Sequence, residues 1–216
     1  MQSVAVIDYG MGNLHSVERA LRHEAPPGTQ IVLTDDLAVI RDADRLVFPG
    51  QGAAADAMQA LRSLGLDTVL PELAATRPFL GMCLGQQILL DWSAENDGVD
   101  LLGVIPGKVE RFPGHAIDSA GRRLKIPHMG WNVVRQVQDH PLWQGLPREP
   151  WFYFVHSYRV LPTRAEDVVG ETDYGDPFAS VIARGSMFAM QCHPEKSAAD
   201  GLRLLNNFLR WDGAWR

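Results

Sequence analysis

Two cysteines, Cys83 and Cys192, and seven histidines are the side chains of this sequence best suited to nucleophilic chemistry. Cys83 lies in Gly81-Met82-Cys83-Leu84-Gly85, between a strand-like and a helix-like run. This is the nucleophile-elbow pattern with cysteine in place of serine. A sharp turn there pushes the sulfur out at the carboxyl end of the strand. The flanking glycines leave room for strained backbone. The helix that follows aims its N-terminus at the sulfur, which favours thiolate and a developing oxyanion. Taken alone, the five residues fit a buried structural cysteine equally well.

A nucleophilic cysteine needs a base. His193 ends a β-rich run and is followed by Pro194-Glu195. A strand end brings the imidazole to the sheet margin, where an elbow can meet it. Proline fixes the intervening backbone, so Glu195 can hold the ring nitrogen that faces away from sulfur. By themselves these residues also describe a loop histidine beside a surface glutamate. Pro49-Gly50-Gln51-Gly52, between a strand and a helix, offers backbone N–H groups for an oxyanion hole. Gly50-Gln51-Gly52-Ala53-Ala54-Ala55 formally fits a dinucleotide fingerprint. It lies in the third strand–helix unit, however, and Glu72, the acidic residue about 20 positions on, falls inside a helix. No histidine pair has metal-ligand spacing and there is no Cys-x-x-Cys, so neither metal nor cofactor is expected. Strand alternation turns Cys192 away from His193 and into the core.

The elements that position these groups follow from hydropathy period and breakers. Apolar runs at 4–8, 31–33, 45–48 and 79–82 have the length of buried strands. Leu14, Val17 and Leu21 repeat at helical spacing after a potential Asn13 cap, and Pro26-Pro27-Gly28 stops that helix. Helices are predicted over 53–64, 67–75 and 84–92. Beyond residue 104 the runs are mostly strand-like, at 109–112, 131–134, 151–155, 168–171, 178–182 and 187–192. A last helix over 198–210 carries Leu202, Leu205, Phe208 and Leu209 on one face. The expected fold is α/β, a single three-layer domain over residues 1–216. Its central sheet is mostly parallel and flanked by helices, with additional antiparallel strands in the C-terminal half.

A chain of 216 residues buries one sizeable core. Its net charge of -6 gives no electrostatic reason to bind nucleic acid or an anionic membrane. No stretch approaches the roughly 18 apolar residues of a membrane span, and the first residues read as a strand rather than a signal peptide. Two cysteines do not build a disulfide framework. A cytoplasmic setting is expected.

Together, Gly81-Met82-Cys83-Leu84-Gly85-Gln86-Gln87, Pro49–Gly52 and His193-Pro194-Glu195-Lys196-Ser197 resemble the class I (triad) glutamine amidotransferases. Three further segments are similar to glutaminase subunits of imidazole glycerol phosphate synthase: Asp8-Tyr9-Gly10-Met11-Gly12-Asn13-Leu14-His15-Ser16, Pro127-His128-Met129-Gly130-Trp131-Asn132 and Tyr153-Phe154-Val155-His156-Ser157-Tyr158. The resemblance spans essentially the whole chain. It implies hydrolysis of L-glutamine to glutamate and ammonia, with ammonia passed to a separate (β/α)8-barrel cyclase subunit in histidine biosynthesis. Glutaminase subunits of other synthases, or a non-catalytic binding subunit on the same fold, are the alternatives.

By matched position, the resemblance implies Cys83, His193 and Glu195 as the triad. It implies an oxyanion site formed by Gly50, Gln51, Gly52 and Leu84. Gly52, Gln87, Glu95, Ser157 and Tyr158 would hold substrate: Glu95 its ammonium, Ser157 and Tyr158 its carboxylate. His128, Trp131, Asn132 and Lys196 would serve the cyclase interface or the ammonia exit. Gln51 stands where the family often has a small apolar residue, and Met190-Gln191-Cys192 where it often has bulkier ones.

Overall fold

The computed structural model describes residues 2–114, 116–117 and 121–215. The first half alternates as expected. β1 (Ser3–Ile7), α1 (Leu14–Glu24), β2 (Gln30–Thr34), α2 (Leu37–Asp42), β3 (Arg45–Gly50), α3 (Ala54–Ser63), α4 (Leu66–Thr76) and β4 (Phe79–Cys83) follow in order. Leu14, Val17 and Leu21 are the buried stripe of α1. The short helix α2, capped by the Asp36 side chain on the Ala38 N–H, is an addition to the expected elements. After the elbow come α5 (Leu84–Gln87), β5 (Trp92–Ser93) and β6 (Val99–Asp100).

Here the structure departs from expectation. The helix after Cys83 lasts four residues instead of continuing to residue 92. Its further carbonyls are taken by a returning segment: Val104 and Ile105 donate to the Leu89 oxygen, Gly103 to Leu90 and Leu101 to Asp91. Those long-range bonds replace the intrahelical ones. A one-turn helix also contributes little dipole at the sulfur, which removes most of that expected stabilisation.

The second half contains β7 (Gly107–Arg111), β8 (His128–Val133), β9 (Arg135–Gln136), β10 (Trp151–His156), β11 (Tyr158–Pro162), β12 (Val168–Tyr174), β13 (Asp176–Arg184), β14 (Met187–Met190) and the closing helix α6 (Ala198–Arg210). On α6, Gly201, Leu204, Leu205, Phe208 and Leu209 face the core, and Leu202 sits only half-buried at the edge of the stripe. Strand β11 is a further addition. It starts one residue after β10, so a single bend at Ser157 separates two strands belonging to different sheets.

The main sheet runs β2-β1-β3-β4-β14-β13-β11-β7-β5-β6, with β12 joined to β13 and β9. The five strands from β2 to β14 are mutually parallel. From β13 the order turns antiparallel through β11 and β7. β8 and β10 form a separate antiparallel pair. Helices and this pair cover two buried apolar clusters, one centred on Phe48, Phe79 and Leu61, the other on Phe154, Phe188 and Phe208. Each fully buried side chain of this size contributes roughly 1.5–3 kcal/mol. Among the described residues, no helix is long and apolar enough to cross a membrane.

Candidate active site

The carboxyl ends of β3, β4 and β14 lie side by side. Gly50 is directly opposite Cys83 across β3 and β4, and Met190 is opposite Met82 across β14 and β4. The chain leaving β14 therefore passes the sulfur and delivers His193 on one side of it, while residues 50–52 lie on the other.

Cys83 has φ +55° and ψ -111°, a conformation rare for any residue with a side chain. The flanking glycines explain how the chain tolerates it. A Cβ on Gly85 would overlap the Phe48 carbonyl oxygen, and one on Gly81 would stand 2.8 Å from the Gly85 carbonyl oxygen. Only glycine lets β3, the elbow and the following turn approach this closely.

His193 Nδ1 lies 2.9 Å from Glu195 Oε1, with the two side chains 4% and 1% exposed. The His193 N–H donates to the Tyr153 carbonyl at 2.9 Å, and its own carbonyl accepts from the Ser197 hydroxyl at 2.6 Å. Burial alone would depress the imidazole. The neighbouring Cys83 sulfur and the Glu195 carboxylate outweigh it and push His193 up to about 9. Glu195 thus holds the Nδ1 side of the ring, and Cys83 is the second group that raises it. Burial and the Cys83 charge push the Tyr9 phenol well above its ordinary range. A Cβ on Gly50 would collide with the Tyr9 hydroxyl.

Cys83 opens on a cavity of about 530 Å³. Of the residues singled out in the sequence, Gln51, Gly52, Leu84, Gln87, Glu95, Ser157, Tyr158 and Lys196 line it together with Cys83. Gly50, His193 and Glu195 stand behind the sulfur around a small recess next to it. Glu95 sits on a short turn after β5, and its Oε2 accepts the Ala54 N–H at 2.7 Å, tying the cavity wall to the start of α3. The remaining candidates separate. Trp131 is 50% exposed on the β8–β10 pair. Asn132 is half-buried beside it. His128 is buried, stacked between Phe154 and Tyr174, and bonds to His156 at 2.9 Å. Its Nε2 lies 3.2 Å from the Asn132 side-chain amide. Among the described residues, no three His, Cys, Asp or Glu side chains gather as metal ligands. Cys192 is fully buried in the core, and its thiol is pushed far up by that burial.

Sequence reasoning passes over two residues at the site. His156 lines the cavity and bonds the Tyr158 carbonyl at 2.7 Å. Gln191, fully buried, places its amide nitrogen 3.7 Å from Cys83 Sγ. The signal for Gln191 is the strand period itself, because a residue two positions before His193 shares its side of the chain.

The family profile described as Glutamine amidotransferase class-I matches residues 5–211. The chain is 54% identical over 215 residues to imidazole glycerol phosphate synthase subunit HisH 1 of Pseudomonas aeruginosa, covering 100% of both chains. It is 55% identical over 213 residues to subunit HisH of Methylococcus capsulatus, covering 98% of both. Among solved structures, PurLQS from Thermotoga maritima superposes with TM-score 0.69 at 15% identity, over 97% of this chain and 98% of that one. A glutamine amidotransferase from Thermotoga maritima superposes with TM-score 0.58 at 18% identity, over 90% and 76%. These two share the fold alone. A family match over nearly the whole length, on a sheet that brings Cys83, His193 and Glu195 to one margin, means that the chain belongs to the class I glutamine amidotransferases.

Proposed function

We propose that this chain hydrolyses L-glutamine to glutamate and ammonia through a thioester on Cys83, as the HisH-type glutaminase subunit of imidazole glycerol phosphate synthase. The observation that carries the reading is the line Glu195–His193–Cys83 at a strained elbow, opening on a cavity of about 530 Å³. In this reading the Cys83 thiolate attacks the side-chain amide of glutamine. His193 hands its proton to the leaving ammonia, and Glu195 holds the imidazolium. The backbone of residues 50–52 and the Leu84 N–H receive the oxyanion. Glu95 pairs with the substrate ammonium, Ser157 and Tyr158 receive its carboxylate, and Gln87 and Gly52 contact the rest. Water then cleaves the γ-glutamyl thioester.

Free ammonia protonates near neutral pH and diffuses away, which gives a reason for delivery to a bound partner. The partner proposed is the (β/α)8-barrel cyclase subunit. Its docking face is the β8–β10 pair, where Met129 is 62%, Trp131 50% and Trp151 54% exposed. Exposed aromatic and methionine side chains grouped on one short sheet have the composition of an interface core. Lys196 and Asn132 stand between this face and the cavity in the proposal. A reducing cytoplasm suits a chain whose two cysteines are both free.

The test is Cys83→Ala in the assembled enzyme. Glutamine-dependent cyclisation is expected to vanish, and cyclisation fed with ammonium salt to survive. Glutamine-dependent turnover persisting in the variant would remove Cys83 from the mechanism. Wild-type glutamate release that ignores the cyclase barrel would move the chain to another amidotransferase branch.

A further inference from the structure

The sulfur of Cys83 has a neighbour that the triad does not use. Gln191 is fully buried where the chain leaves β14, its own N–H bonded to the Ser180 carbonyl at 2.8 Å. Its side chain lies between two groups: Nε2 is 3.7 Å from Cys83 Sγ, and Oε1 is 2.9 Å from Gln87 Nε2. An amide can point either end at sulfur, and the ends have opposite effects. The surrounding bonds decide which one it is.

The deciding group is the Tyr158 carbonyl oxygen, which can only accept. His156 Nδ1 stands 2.7 Å from it and Gln87 Nε2 stands 3.3 Å from it. Both must donate, and together they fill its two lone pairs. Gln87 therefore presents its NH2 group to Gln191 as well, so Gln191 must answer with its carbonyl oxygen. That leaves the Gln191 NH2 group facing the sulfur. The same logic runs outward: His156 is protonated on Nδ1, so its Nε2 accepts from His128 Nδ1 at 2.9 Å. One backbone carbonyl thus fixes the direction of every donor from His128 to Cys83.

We infer that Gln191 is a further catalytic-site residue of the glutaminase, a fixed donor that holds the Cys83 sulfur as thiolate and that Gln87 and the Tyr158 carbonyl keep in that orientation. The inference rests on the proposed function for Cys83 as nucleophile. A donor on sulfur favours the ionised thiol over the neutral one, and full burial keeps water from replacing it. It also stabilises the thiolate without drawing on the His193 proton, which stays available for the leaving group. The titratable groups near enough to act on the sulfur are Tyr9 just after β1, and His193 and core-buried Cys192 from the segment after β14. Glu195 acts on it through His193, and Glu95 and Lys196 stand across the cavity.

The experiment is the pH dependence of Cys83 alkylation by iodoacetamide in the full chain, read on the Cys83 peptide by mass spectrometry. Gln191→Met keeps the volume and removes the donor. Its alkylation midpoint is expected to rise by about one pH unit, which is about tenfold in rate below the midpoint. Gln87→Met leaves the Gln191 amide in place and removes the partner that orients it, and a smaller rise in the same direction is expected. In glutaminase assays of the complex, Gln191→Met should lower kcat at neutral pH with little change in KM. A folded Gln191→Met chain with an unmoved midpoint would overturn the inference. Should that variant not fold, an unmoved midpoint in Gln87→Met would do so. A wild-type chain that releases no glutamate and leaves Cys83 unalkylated would instead overturn the proposed function itself.

Discussion

In the proposed function the parallel and antiparallel halves of this molecule divide the labour. Strands β3, β4 and β14 are buried along their whole length, and every group assigned to bond-making sits at or just beyond their ends. The β8–β10 pair has one side against the core and one side in water, and β10 reads exposed, buried, half-buried, buried in turn. Fully buried strands hold a reactive geometry rigidly. A half-solvated pair offers a surface that another protein can cover. Chemistry on one and recognition on the other is what burial alone would lead one to expect.

The sharpest way to break the comparison is on the parallel side. Glu195→Gln leaves the shape in place and removes the charge that helps hold His193 protonated. kcat for glutamine is expected to fall by about 10³–10⁴-fold, the scale seen when a triad carboxylate becomes an amide. The His193 pKa should fall below about 9 as one of its two raising partners is lost, which a histidine proton titration would show. A variant with near-normal kcat would mean that Glu195 is structural only. Gly85→Ala tests the rigidity itself. Its Cβ would overlap the Phe48 carbonyl, a backbone atom that can move only if β3 moves. Denaturant melts should show a loss of about 3 kcal/mol or no folded protein. The same substitution at exposed Gly121, where no atom of the described residues lies within reach of a Cβ, is expected to cost far less, leaving the penalty of its positive φ.

How much of this is legible in the sequence depends on whether local pattern or distant contacts decide. The buried strands and the glycine-flanked elbow are readable, because an apolar run of strand length and a pair of glycines state their own requirements. The length of α5 is not. Residues 84–92 have helical composition, and what ends the helix is a set of donors from 101–105 that no local window contains. Strand β11 is hidden because only Ser157 separates it from β10. Motif groups His128 with Trp131 and Asn132, yet the strand period turns its ring inward onto Phe154 and Tyr174. Gln191 is visible as a polar residue in an apolar strand end. The role inferred for it needs Gln87, 104 positions away, and the Tyr158 carbonyl that orients Gln87.

On the antiparallel side, Trp131→Ala removes a half-exposed ring that packs edge-on against Tyr153, centroids 6.3 Å apart. Half of it is already exposed in this chain, so the melting temperature should hold within a few degrees. Affinity for the cyclase barrel, measured by calorimetry, is expected to fall by about 30-fold, on the order of 2 kcal/mol for a central aromatic. An unchanged affinity would shift the docking face elsewhere.

The gentlest test sets the two halves against each other through pH. In the antiparallel layer, burial pushes His128 down to about 4 and His156 to about 3, so both stay neutral in the folded chain. Below their ordinary value near 6.5 the unfolded chain takes up protons that the folded one refuses, and stability falls as pH falls toward 4 and 3. His193 has the opposite sign. Its folded value of about 9 lies above the unfolded one, so its contribution is complete below about 6.5 and is lost as pH rises toward 9. Each group gives a slope on the order of 1 kcal/mol per pH unit inside its own window. Urea melts across pH should therefore decline on both sides of a maximum near 6.5. Cys83→Ala removes one of the two groups that raise His193, so it should flatten the alkaline side and leave the acid side as it was. If Cys83→Ala changed both sides equally, the two halves would share one electrostatic unit, and the division between a rigid chemical margin and a separate recognition layer would fail.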